Sequence, residues 1–393
     1  MTGELSPSST EKRTVATLVS LLALGLVDAQ LLSPILTEIA ASLDASPEAI
    51  GRTVIGYAIC AALAALIAGP VSDHTGRGRF LIGAGCVFAL GSLLVVASGS
   101  LRVFVVARMV TGAAAGVISA LTVAAVADSV PYERRGRAMG WVGVAYAAPV
   151  VAIPVAAKIA ENARWQTIYL GFTFAACLVA VAVALWFDEP QIRSYSGARS
   201  PGYLRFMKAR STAAGALSAF FVTGGLTGFL LFLGAHLRTE VGLSLSSVSL
   251  VFSLSGLAGL FGALAAGRLS DRIGKTRVAL AGSTAMVVFL VVVPSTAGFV
   301  MYTALGMVGL SAATRVAPLQ SLVTQLVTSE HRGAFVALRN TLSQCGNATA
   351  AALASILYPY GFQYICWLTA GFSAMAVILI LLIEEPESEK EQE

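Results

Sequence analysis

At 393 residues, 56% of them hydrophobic and only 12% charged, the chain departs from a soluble domain, where about 25% of residues are charged. A fold of this size would lack the polar surface to cover itself in water, so the bilayer is the solvent in which to read it. The net charge of +5 comes from short Lys and Arg clusters between apolar runs, with none of the long basic tracts that mark a nucleic-acid binder.

A transmembrane helix needs roughly 20 predominantly apolar residues, and runs of that length recur along the whole chain. The polar start at 1–13 leads into a first run, 14–36, that is too long for the apolar part of a cleavable signal. Runs bounded by charges or turn residues predict spans at 14–36, 49–70, 79–98, 101–125, 137–158, 166–187, 212–236, 247–268, 277–295, 298–322, 334–357 and 361–383. Ser46-Pro47-Glu48 supplies an N-cap, a first-turn proline and an acid on the helix dipole where the second span opens.

With both termini in the cytoplasm, 19 of the 26 Lys and Arg residues fall in inner loops, tails or the inner ends of spans, Arg339 among them, the bias that orients membrane proteins. The longest break, 188–211, carries Arg193, Arg199, Pro201, Arg205, Lys208 and Arg210 and reads as a cytoplasmic linker. It separates a six-helix bundle at 1–187 from a second at 212–393, whose tail after Glu384 is acidic. The expected fold is an all-α membrane protein of twelve helices in two pseudo-symmetric bundles, seated in a bacterial plasma membrane.

The two halves repeat one another. Gly69, Asp73, Gly76 and Arg77 align with Gly267, Asp271, Gly274 and Lys275 at an offset of 198, and Glu133-Arg134-Arg135-Gly136 aligns with Glu330-His331-Arg332-Gly333 at 197. Two separate matches at nearly one offset point to duplication with both halves in the same orientation, because six crossings return the chain to its starting side.

These motifs resemble the major facilitator superfamily, and within it the twelve-span drug:proton antiporters and sugar-efflux permeases. The most specific element is the glycine- and arginine-rich loop between spans two and three, here Gly69, Asp73, Gly76, Arg77 and Arg79, with Val71 and Gly78 departing from the family's usual residues. Glycine relieves the backbone of so short a turn, and Asp73 stands where it would accept hydrogen bonds from the N–H groups that open a neighbouring helix. By the resemblance that helix is span eleven, near Gly333, and Arg77 pairs with Asp128 at the inner end of span four. The two contacts would form a cytoplasmic gate that closes in the outward-facing state and breaks in the inward-facing one. An ordinary solvated loop is the alternative reading.

Ionisable residues inside spans are the better clue to function, since each costs about 2.5–3.5 kcal/mol on insertion scales and calls for a partner or a task. Asp28 in span one, Arg108 in span four and Arg315 in span ten stand out. At about 1.5 Å per residue, Asp28 lies roughly 12 Å below the end of span one near Leu36 and Arg108 roughly 10 Å below Leu101. If the two spans face each other as the resemblance implies, the pair can meet. Arg108, Gly112 and Gly116 also match the family's Arg-x-x-x-Gly pattern, which the resemblance ties to proton coupling. Protonation of Asp28 would release Arg108, and deprotonation would restore the pair. The alternative is a purely structural ion pair, although the positions 198 further on, Leu226 and Gly306, carry no charge.

Arg315, near Pro318, Gln320 and Gln325, would either bind an anionic substrate group or line the inward vestibule. Gln30, Tyr57, Tyr146, Asn340, Gln344 and Asn347 are further cavity candidates, each also readable as helix-to-helix glue. Span five holds Gly143, Ala147-Ala148-Pro149, Ala152 and Ile153 where antiporters of the family carry more glycine.

Nothing here assembles an enzyme. The three histidines, His74, His236 and His331, lie near loop ends, the five cysteines sit in apolar runs without a C-x-x-C pair, and there is no Walker motif. No cofactor or metal is expected. The partners expected are a small-molecule substrate, protons and membrane lipid, with one chain sufficient as a monomer. Proton-coupled export of a drug-like molecule or sugar is the leading expectation, an importer or uncoupled facilitator the second, and a non-transporting sensor the third.

Overall fold

The computed structural model describes residues 9–130, 135–187, 205–327 and 332–384, and among these the ordered backbone is helical. The helices are α1 (Ser9–Leu31), α2 (Leu36–Ser42), α3 (Pro47–Thr75), α4 (Arg77–Val96), α5 (Leu101–Asp128), α6 (Arg135–Asn162), α7 (Gln166–Trp186), α8 (Arg210–Thr239), α9 (Leu245–Ile273), α10 (Lys275–Val292), α11 (Gly298–Thr324), α12 (Arg332–Leu357) and α13 (Phe362–Leu381). The expected linker is largely outside the described residues, as are Glu133, Arg134, Glu330 and His331 of the second repeat.

Each expected span is recovered, with one correction. The run at 14–36 is not one helix: α1 stops at Leu31 and a turn leads into the short α2. Pro34 supplies the reason, since it has no N–H to donate and its ring crowds the carbonyl four residues back. Asp28 therefore sits in the last turn of α1, at a helix break rather than mid-helix. Most other spans run several residues past their apolar cores at the expected cytoplasmic ends, α3 to Thr75 and α9 to Ile273, because backbone hydrogen bonding continues beyond the apolar stretch.

Eleven of the described helices are long and apolar enough to cross a membrane. The 26-residue α12 falls outside that set. Its sequence carries Arg332, Arg339, Asn340, Gln344 and Asn347, and it packs closely along α8, so part of its polar character is turned toward protein rather than lipid.

The chain divides into two compact units, one of residues 1–46 and 56–196, the other of 47–55 and 197–393. Within the first, α4 packs on α5 and α7, and α1 on α6; within the second, α10 packs on α11 and α13, and α8 on α12. The second set of pairings repeats the first. The start of α3 belongs by contact to the second unit, where Gly51 leaves room for the ring of Phe232 and for Ser355.

The duplication extends to backbone detail. A single glycine joins α3 to α4 and α9 to α10: Gly76 at φ 101°, ψ 134° and Gly274 at φ 98°, ψ 145°. Both amides bond back four residues, Gly76 to Ser72 at 2.9 Å and Gly274 to Ser270 at 3.1 Å. Both serine hydroxyls bond back three, Ser72 to Gly69 and Ser270 to Gly267. A side chain at such φ and ψ values is strained, so only glycine makes this one-residue link without cost. Helix crossings repeat too. A methyl group on Gly112 of α5 would overlap the Tyr57 backbone of α3, and one on Gly309 of α11 would overlap the Ser255 backbone of α9. This match sets the offset for α5 and α11 at 197, so Leu305 rather than Gly306 is the counterpart of Arg108.

Gly76→Ala and Gly274→Ala should each destabilise the protein by about 1–3 kcal/mol, read as an earlier thermal transition in detergent. Gly83→Ala, whose added methyl meets open space, should leave that transition in place.

Candidate functional site

The site begins with how close α1 and α5 can come. Gly25 faces Ala115 at van der Waals distance, and the absence of bulk there lets the two helices approach. Asp28, one turn along the same face of α1, then meets Arg108: the guanidinium Nη1 donates to the carboxylate Oδ1 at 2.6 Å. Arg108 is 1% and Asp28 0% exposed. The pairing expected from the resemblance is present.

Tyr57 of α3 lies beneath the same guanidinium, whose central carbon is 4.5 Å from the ring centroid. Gly112 and Gly116, one and two turns after Arg108, make this possible, since side chains there would collide with the backbones of Tyr57 and Ala61. From α7, the buried Tyr169 is a near neighbour of both Asp28 and Arg108. It is held edge-to-face against Trp165 at 5.9 Å and tilted on Phe172, while Trp165 donates its indole N–H to Ser42 of α2 at 2.7 Å. Among the described residues, Asp28 Oδ2, Arg108 Nε and the Tyr169 hydroxyl are buried without a hydrogen-bond partner. Tyr169 was missed at the level of sequence, because nothing in its neighbourhood distinguishes it from a packing tyrosine.

The other candidates do not gather here. Gln30 and Asn340 are exposed, and Tyr146 is 59% exposed on α6. Gln344 and Asn347 form a polar chain inside the second unit: Asn347 donates to Gln344 at 3.0 Å and accepts from Thr227 of α8 at 2.7 Å. Arg315 corrects the expectation of an open vestibule. Its side chain is buried, donating to the Val222 carbonyl at 2.8 Å and to the Ser373 hydroxyl at 3.4 Å, with Gly282 packed against its backbone. Arg339, read in sequence as one more cytoplasmic charge, is also buried. It donates to the Gly215 carbonyl and to Gln320, each at 3.2 Å.

Of the expected gate, Arg77 bonds Asp128, a partly exposed pair that salt and water screen. The side chain of Asp73, its expected helix partner at Gly333, and the side chain of His74 lie outside those described. Asp271 and Lys275 have no ion pair among the described residues, and at the offset of 197 the counterpart of Asp128 is Gln325, which carries no charge. The second repeat keeps the glycine turn of Gly267 and Gly274 without the ion pair.

Chemically, the Asp28–Arg108 pair has one variable charge. Arginine keeps its protons in proteins, whereas a carboxylate can take one up, and burial favours the uncharged form of an acid while a neighbouring cation opposes that.

The family model described as Major Facilitator Superfamily matches residues 17–233 and 215–393. The chain belongs to the major facilitator superfamily. This transporter is 25% identical over 363 residues to the uncharacterized MFS-type transporter YceJ of Bacillus subtilis, covering 91% of each chain. It is 25% identical over 262 residues, 65% of each chain, to Multidrug resistance protein D of Escherichia coli. Its fold matches a bacterial homologue of the human lysosomal transporter Spinster in an inward-facing, occupied conformation, with a TM-score of 0.79, 14% identity, and coverage of 95% of this chain and 97% of that one.

Breaking a buried pair by removing one partner costs about 3–5 kcal/mol, whereas replacing both with apolar groups is often neutral. Asp28→Leu, which strands a permanent cation, should therefore destabilise the transporter more than Arg108→Leu, which leaves a carboxylate able to protonate. The double variant should recover most of the loss, as measured by thermal unfolding in detergent.

Proposed function

We propose that this transporter exports a small organic compound by alternating access in exchange for protons, with Asp28 and Arg108 as the coupling pair. The observation that carries the reading is the buried, directly bonded pair in the first unit, whose counterparts in the duplicated half are the uncharged Leu226 and Leu305. A pair required only to build the bundle would be expected in both copies of a bundle whose helix crossings are otherwise repeated. In this scheme the protonated site and the ion-paired site favour different conformations, and the compound binds in competition with the proton. A drug-like substrate is supported by the likeness to a relative named for multidrug resistance.

The Arg77–Asp128 pair and the two glycine turns would stabilise the cytoplasmically closed state. Both termini would face the cytoplasm of a bacterial cell, and a single chain would carry out transport. A second reading, import or uncoupled facilitation, draws on α6, where Ala147, Ala148, Ala152 and Ile153 stand in the glycine-rich stretch that antiporters of the family carry, with Pro149 and Pro154 inside the helix.

Purified protein in liposomes enclosing a pH-sensitive dye separates the two readings when a panel of lipophilic cations and sugars is screened. Compound-dependent proton flux should appear in the wild type and fall at least about tenfold in Asp28→Asn. Equal flux in the variant would remove Asp28 from the coupling, and compound movement without protons in the wild type would favour the facilitator.

A further inference from the structure

The coupling scheme leaves a physical problem. Arg108 cannot shed its charge, so when Asp28 takes up a proton the bilayer interior holds a guanidinium that has lost its one charged partner among the described residues. An unpaired charge there is costly, and that cost would oppose protonation unless the cation had another attractive surface within reach. The Tyr57 ring is that surface, with the guanidinium carbon 4.5 Å from its centroid. The face of an aromatic ring attracts a cation most strongly where water is excluded. Gly112 holds the ring close by letting the α3 backbone pass directly under α5. In the duplicated half the counterparts of Tyr57 and Arg108 are Ser255 and Leu305. There the close crossing is kept, with Gly309 against Ser255, while cation and ring are both missing. The crossing alone therefore does not require the aromatic residue.

We propose that Tyr57 is a positioning residue for coupling: its ring face holds Arg108 when Asp28 is protonated, so that an O–H bond can form on the carboxylate, with the proton supplied by water, without leaving the cation unattended. The inference rests on the Asp28–Arg108 reading above. The groups close to Asp28 are Arg108 from α5, which donates to it, the Tyr57 hydroxyl from α3, which lies within hydrogen-bonding reach of it, and Tyr169 from α7. Among the described side chains of α6, the titratable ones are Tyr146, which is exposed, and Lys158 and Glu161, which pair with each other.

The test follows Asp28 itself, using pH-titrated infrared difference spectra of the full-length protein in lipid, with the carboxylic-acid carbonyl band assigned by its loss in Asp28→Asn. Tyr57→Phe keeps the ring face but removes a hydroxyl placed to bond Asp28, so it serves as the reference from which the effect of the ring face is read. Tyr57→Leu removes the face as well, penalises the protonated state and should place the midpoint about one unit below that of Tyr57→Phe, the size of a desolvated cation–π contact. Because leucine also changes packing, a series of phenylalanines with one, two and three ring fluorines placed at position 57 keeps the shape while weakening the face, and the midpoint should fall stepwise along it. A midpoint that stays put from phenylalanine through the fluorinated series would overturn the role of the ring face and leave the coupling pair standing. Absence of any Asp28 band in the wild type would instead overturn the coupling reading on which the inference rests.

Discussion

A buried carboxylate bonded to a buried guanidinium is the constraint around which the first helical unit is arranged. Each charge alone would be expensive in a bilayer, and the pair is tolerable only if the helices bring the two groups into direct contact. Gly25 and Ala115 set the approach of α1 to α5, and Gly112 and Gly116 set the approach of α3 to α5. Pro34 ends α1 just beyond Asp28. The glycines matter here for the bulk they omit: a methyl group at Gly112 would push away the backbone that carries Tyr57, and with it the ring beneath Arg108.

The second unit is built on the same helix pairings and the same glycine links, yet its buried polar groups differ. Arg315 and Arg339 are stabilised by dipoles, through the Val222 and Gly215 carbonyls and the Ser373 and Gln320 side chains, and among the described residues neither has a carboxylate partner. At the repeat-equivalent positions the first unit has Ile118 and Val142. Duplication therefore preserved the backbone geometry, and the charges diverged. In the first unit a titratable group faces a fixed one. In the second the fixed charges bond to carbonyl, hydroxyl and amide groups that do not titrate, which is why the proposed coupling is placed in the first unit.

Much of this was readable from sequence, because apolar length and charge placement follow directly from the bilayer. The spans, the repeat offsets and the special role of Gly76 and Gly274 rest on such local or periodic signals, whereas the contact between Asp28 and Arg108 was expected through the family resemblance. Other features depend on which side of a helix meets protein, and composition does not report that. Arg339 lies near a helix end in sequence and so resembled a cytoplasmic charge, whereas the close packing of α12 on α8 buries it. Tyr57 and Tyr146 looked alike as polar aromatics, yet one lies under Arg108 and the other is exposed. Arg315 was recognised as an intramembrane charge, but its carbonyl and hydroxyl partners come from α8 and α13, distant in sequence. The break at Pro34 was visible as a proline, though the apolar run around it concealed its effect.

Proton exchange makes a quantitative demand that structure alone does not. With a transported compound in hand, the concentration ratio that the reconstituted protein builds across the liposome membrane can be measured against imposed pH differences at zero membrane potential. For electroneutral exchange of one proton, that ratio should rise about tenfold for each unit of pH difference, and in Asp28→Asn it should collapse to equal concentrations on both sides. A wild-type ratio that stays at one whatever the pH difference, or an Asp28→Asn ratio that still follows it, would contradict the account.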